Sequence, residues 1–272
     1  MGIRIWHQSF TVLDNLPAYA ASLEQHFSRV ARADTAVVLH GMHAQTYRTN
    51  YPGNDIRYAY LQYLHGQQFV LAGIAAEEQG FDAYAIMSLP EPALLETRSV
   101  IDIPAVGYGE SSMLTARMLG ERMGVLLFIE EMAPLIEENA ARIGFAGRFA
   151  GARYVGFGFN DVLKAYEQPQ SVLDRFHTAA RAMIRDGVDV IIPGEAPLCV
   201  LLARHGVNRV DDVPVVDALA ATIKMAETMV DLRRVSGLAP ARRGYFMEKP
   251  PRDRVKELIA FYGMSHLFPT PR

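Results

Sequence analysis

A single cysteine, Cys199, stands in 272 residues. One thiol can close no intrachain disulfide and build no multi-cysteine metal cage, a usage that fits a reducing cytosol better than secretion. Positive charge is also scarce: 27 Lys and Arg against 30 Asp and Glu leave a formal charge of −3. No basic surplus exists to neutralise a phosphate backbone, so nucleic acid is not an expected partner. Long apolar runs are missing as well. The longest, such as Gly124–Ile129, are strand-sized, far short of the roughly 20 apolar residues of a membrane span. Met1–Phe10 carries no apolar stretch of signal-peptide length. The expectation is a cytoplasmic protein with no membrane partner.

Half of the residues are apolar and 21% are charged, a globular composition that excludes wholesale disorder and collagen-like or coiled-coil architectures. Short β-rich runs alternate with longer segments of helical period, which predicts βαβ units and parallel sheets. Strands are expected near Ile3–Trp6, Ala36–His40, Ala83–Met87, Ala105–Tyr108, Gly124–Ile129, Tyr154–Phe157, Val188–Ile192 and Val213–Val216. Helices fill most of the intervals, among them Leu16–Arg32, Ile56–Gln79, Ser171–Asp186 and Ala218–Val235. The fold class is therefore α/β, with two Rossmann-like domains, each built on a mostly four-stranded parallel sheet.

A weak internal repeat relates the two sets of strands. Gly80-Phe81-Asp82-Ala83 leads to Ser88 and then to Asp102-Ile103-Pro104-Ala105; Gly187-Val188-Asp189-Val190 leads to Glu195 and then to Asp212-Val213-Pro214-Val215. In both halves the residue eight beyond the repeat glycine falls just past the C-terminal end of a buried strand, the edge at which open α/β sheets bind ligands. If the halves face each other, Ser88 and Glu195 confront one another across a cleft. Recurrent αβ-turn chemistry alone is the competing explanation.

Other candidates gather at the same edges. Gly107-Tyr108-Gly109-Glu110-Ser111-Ser112 opens a helix after a strand, so its free N–H groups can receive an anion, or it is simply a capped turn. It is neither a P-loop nor a dinucleotide fingerprint. His7, His40 and His43 lie at ends of the first two strands. His7 and His43 with Glu110 or Glu195 could assemble a metal site, but no pair has the helical i, i+4 spacing of metal motifs, and no metal or organic cofactor is assigned. Cys199 is better explained by core packing. Arg242 and Arg243 are more in keeping with a solvated pair than with a substrate-carboxylate clamp.

These residues resemble the aspartate/glutamate/hydantoin racemase superfamily, and its hydantoin racemase branch most closely. The likeness is carried by Arg4-Ile5-Trp6-His7-Gln8-Ser9, by Gly80 to Leu94, by Ile103 to Ser112 and by Asp189 to Leu198, and it runs to about residue 235. It implies pseudo-symmetric lobes with the active site in the interdomain cleft, residues 1–110 with 217–272 forming one lobe and 111–216 the other. It also implies a homo-oligomer and a small-molecule substrate. Racemases of this kind place one cysteine at a strand end in each half, and the two thiols exchange an α-proton from opposite faces. Here the matching positions are Ser88 and Glu195.

A serine hydroxyl ionises at a pKa of roughly 16, some nine units above neutrality, so ionising it costs on the order of 12 kcal/mol. Ser88 is thus a poor carbon-acid base, though it can donate to an oxyanion or act as a nucleophile beside a histidine. Glu195 is a more natural base, and a dry cleft would raise its pKa toward neutrality. The expected catalytic set is Ser88, Glu195 and His7, and the expected substrate contacts are Ser9, Glu110, Ser111, Ser112, Gly194 and His43. The reading that follows is a racemase-like isomerase acting on a small carboxylate or a cyclic amide or imide. A hydrolase or decarboxylating lyase on the same scaffold is the alternative, and a non-catalytic binding protein the third.

Overall fold

A computed structural model describes residues 2–269. Its first sheet comprises β1 (Ile3–Gln8), β2 (Thr35–His40), β3 (Ala83–Ile86) and β4 (Ala105–Gly107). The order is β2-β1-β3-β4 and every pairing is parallel. Between these strands run α1 (Pro17–Val30), a short α2 (Gly53–Ile56), the long α3 (Ala59–Glu78) and α4 (Leu94–Val100). α5 (Tyr108–Leu119) then leads to a second parallel sheet of β5 (Met123–Leu127), β6 (Phe149–Tyr154) and β7 (Val190–Pro193), in the order β6-β5-β7. Its connections are α6 (Ala133–Arg142), α7 (Phe159–Ala165) and α8 (Gln170–Arg185). After β7 come α9 (Ala196–Arg204), the two-residue strands β8 (Arg209–Val210) and β9 (Val213–Pro214), α10 (Ala218–Ser236) and α11 (Arg252–Phe261). Buried on both faces, β3, β5 and β7 read as continuous apolar runs, as central parallel strands do.

The second sheet has three strands where four were expected. The segment predicted at Val213–Val216 pairs antiparallel with β8 instead and is joined to β7 by an isolated parallel bridge, Ile191–Val215, with no ladder. Asp211 turns the chain in the left-handed region (φ 53°), and Pro214 has no N–H to give to a ladder. The strand expected at Tyr154–Phe157 lies earlier, as β6, and Val155 and Phe157 are buried in the loop that follows it.

α10 returns to the first sheet and packs on α5, β3 and β4. Asp217 starts it: one carboxylate oxygen accepts the Ala220 N–H at 2.9 Å and lies 3.2 Å from Nε2 of the buried His26. Asp217→Ala removes the cap and the partner of His26 Nε2, while Nδ1 keeps its 3.0 Å contact with Arg29, so a loss of about 1–2 kcal/mol of stability is expected, read as a lower urea midpoint at unchanged slope. An unchanged midpoint would mean that this junction carries no stability. Beyond Gly237 the tail straps back over the end of α4, where Arg242 donates to the Arg98 carbonyl (2.8 Å) and to Asp102 (2.7 Å). Arg242 therefore closes a helix end, while Arg243 is exposed.

Candidate active site

The C-terminal ends of β1, β3, β5 and β7 border one hollow of about 50 Å³. The first sheet contributes Ser9, Thr11 and Ser88, and the second contributes Phe128 and Glu195. Tyr51 and Pro52, from the loop before α2, form a cover. Ser88 and Glu195 are each 8% exposed. The two strand-end positions paired by the sequence repeat thus meet at one small cavity.

The repeat has a backbone counterpart. Met87 N–H donates to the Gln8 carbonyl (2.9 Å) in one sheet, and Gly194 N–H donates to the Leu126 carbonyl (2.7 Å) in the other. Each bond ends a strand one residue before its candidate side chain. Gly194 is needed for this approach, since a Cβ there would lie 2.8 Å from that of Leu127. Its part is close packing beneath Glu195, and it does not line the hollow.

Glu195 occupies the cap position of α9, but its carboxylate turns toward β5. Oε1 accepts N–H groups of Phe128 (2.9 Å) and Ile129 (3.0 Å), and Oε2 lies 3.1 Å from the Phe128 nitrogen. Burial pushes its pKa up to about 8, against the opposing pull of those two amides. Tyr51 is raised to about 12, by burial first and then by the nearby Glu195 charge. Its ring stacks on Phe159 at 5.1 Å and 17°, joining the cover to the second sheet's side of the hollow. Ser9 shares a 2.8 Å hydrogen bond with Thr11 and accepts the Thr11 N–H at 3.1 Å. Among the described residues no Lys, Arg or His lines the cavity.

Several expected residues lie elsewhere. His7 sits within β1, fully buried, its ring 5.4 Å from that of Phe27 on α1. Desolvation lowers its pKa to about 3, so it is a neutral core histidine outside the hollow. His43 lines a separate surface depression with Gln68, because the chain turns away after β2 at Gly41, packed against the Thr11 carbonyl. Glu110 pairs with Arg98 at 2.5 Å, and Glu110 and Ser111 face a groove beneath the tail. Ser112 donates to the Gly109 carbonyl at 2.9 Å. At the start of α5, where a substrate anion was considered, the Glu110 N–H donates instead to the carboxylate of Glu91 at 2.7 Å. Glu91 was not singled out from sequence. The histidines and carboxylates considered for a metal are dispersed, and no three such groups gather among the described residues. Cys199 is a core residue, its thiol pushed up to about 12 by burial and by Asp217.

Residues 17–226 match the Asp/Glu/hydantoin racemase family. The chain belongs to that family. It is 31% identical over 157 residues to a hydantoin racemase of Pseudomonas sp. (strain NS671), an alignment that spans 57% of this chain and 61% of the relative. Its fold is shared with the allantoin racemase from Klebsiella pneumoniae, at a TM-score of 0.75 and 22% identity over 92% of this chain and 95% of that one. An allantoin racemase from Pseudomonas fluorescens superposes with a TM-score of 0.71 and 24% identity, covering 92% and 99% of the two chains.

Proposed function

We propose that the protein is a cofactor-independent isomerase of racemase type. It moves a proton at the α-carbon of a small, uncharged cyclic amide, with Glu195 as base and Ser88 on the facing wall. The carrying observation is the fixed Glu195 carboxylate: two backbone N–H groups orient it, burial raises its pKa toward working pH, and Ser88 shares its cavity. The cavity also favours a neutral ligand over a carboxylate. With no cation in its lining, a ligand carboxylate would meet Glu195 without a counter-charge. A hydantoin-type ring, the substrate class in the relatives' names, offers carbonyls and N–H groups instead. Ser88, Ser9 and Thr11 are among the hydroxyls at hand to donate to a developing enolate oxygen.

Because the Ser88 hydroxyl cannot readily supply and remove a proton, proton exchange from the Glu195 face outruns inversion in this reading. A 5-substituted hydantoin of one hand, incubated in D₂O, is expected to lose its C5–H signal by NMR faster than it loses optical rotation. Absence of enzyme-dependent exchange across a panel of such rings would sink the reading. The base works ionised, so kcat/KM for exchange is expected to rise with pH and level off above about 8. A profile already flat from pH 5 to 9 would exclude a carboxylate with this pKa. The division into lobes 1–110 with 217–272 and 111–216, a cytoplasmic location and a homo-oligomeric state belong to the same proposal.

A further inference from the structure

Glu91 is a buried carboxylate that the reaction above does not use. It is 5% exposed and lies three residues beyond Ser88, in a turn closed by its own N–H donating to the Ser88 carbonyl at 3.0 Å. Its backbone has φ 49° and that of Ala93 has φ 55°, a left-handed conformation that residues with a Cβ avoid. Glycine or asparagine would adopt it at less cost. Such strain persists only where the surroundings over-determine it, and it clusters at functional sites. Here the constraint is visible: the carboxylate accepts the Glu110 N–H at 2.7 Å at the start of α5. It is pressed against Gly107 and Gly109, and a Cβ at Gly107 would overlap it. Burial is the main influence on its pKa, raised to about 7; Glu110 raises it further, while the Glu110 N–H bond, Arg98 and Arg142 oppose the shift.

We propose that Glu91 is a positioning residue for Ser88: seated on the first turn of α5, its carboxylate holds the Ser88–Ala93 turn in its strained form and keeps the Ser88 hydroxyl on the wall of the hollow. The inference rests on the reading of Ser88 and Glu195 as groups flanking one substrate. It also accounts for the Glu110 amide of α5 being closed to ligand.

Two readouts test it, one of them independent of any substrate. In a Ser88→Cys background, the alkylation rate of the residue 88 thiol by iodoacetamide, followed by peptide mass spectrometry, reports where that side chain stands. Adding Glu91→Ala is expected to change this rate at least tenfold. Glu91→Gln, whose side-chain carbonyl can still accept the Glu110 N–H, is expected to leave it within threefold. With Ser88 in place, Glu91→Ala is expected to lower kcat for exchange at least tenfold with KM within threefold, and Glu91→Gln to restore most of it. If Glu91→Ala does not fold, Glu91→Asp, one methylene short of the amide, is judged by the same criteria. A folded Ala or Asp variant with unchanged thiol reactivity would overturn the proposal. A changed thiol rate in a protein that exchanges no hydantoin proton would uphold it as a statement about residue 88 and refute the functional reading.

Discussion

Glu195→Gln is expected to lower deuterium uptake at C5 of a 5-substituted hydantoin by about 10²–10⁴-fold, the usual contribution of a positioned general base. Ligand affinity is expected to change little. Glutamine keeps the size of the side chain and an acceptor for the Phe128 and Ile129 amides, but it cannot take a proton at working pH. Isothermal titration separates binding from turnover. Full activity in this variant would remove residue 195 from the base role. Stability carries the same signature with a definite sign. Burial favours the neutral acid, so the Glu195 contribution is fully present below about 4.5, the unfolded value, and is lost as pH rises through about 8. The variant should lose less stability than the parent between pH 6 and 9.

Ser88→Cys is expected to work in the opposite direction, raising the ratio of racemisation to exchange by at least about 10². An unperturbed thiol ionises near 8.5 where a serine hydroxyl needs roughly 16. Burial returns part of that difference, as Cys199 illustrates, its thiol being pushed up to about 12. Even a thiol that far raised would ionise about four units more easily than the hydroxyl, on the order of 5 kcal/mol. With about half of this expressed in the proton-transfer transition state, the gain is roughly 10². Chiral chromatography starting from each hand, alongside NMR exchange, gives the ratio. An unaltered ratio in a folded, ligand-binding variant would mean that position 88 does not face the reacting carbon.

What the chain sequence made legible is what depends on short spacing. Ser88 and Glu195 each follow a buried strand by two residues, and the equivalent bonds Met87–Gln8 and Gly194–Leu126 are the physical content of the repeat. The missing fourth strand of the second sheet was less legible, because one left-handed residue at Asp211 and one absent N–H at Pro214 divert a segment of good β composition. His7 shows the limit at the site: a histidine inside the end of a strand faces the core or the cleft according to a placement of one residue, and here it packs on Phe27. Least legible were the pairings between distant segments. Nothing local says that Glu195 will turn to amides 66 and 67 residues away, or that Glu91 will fill the anion site at the start of α5. Tyr51 covers the cavity from a loop without hydropathy period, so it carried no signal either.

A crystal structure of Glu195→Gln with a 5-substituted hydantoin bound would show whether residues 88 and 195 flank one ligand. The ring is expected in the hollow beneath Tyr51, its C5 within about 4 Å of both the Ser88 hydroxyl and the residue 195 side chain, on opposite faces of the ring. A ring seated elsewhere, or both side chains meeting it from one face, would contradict it.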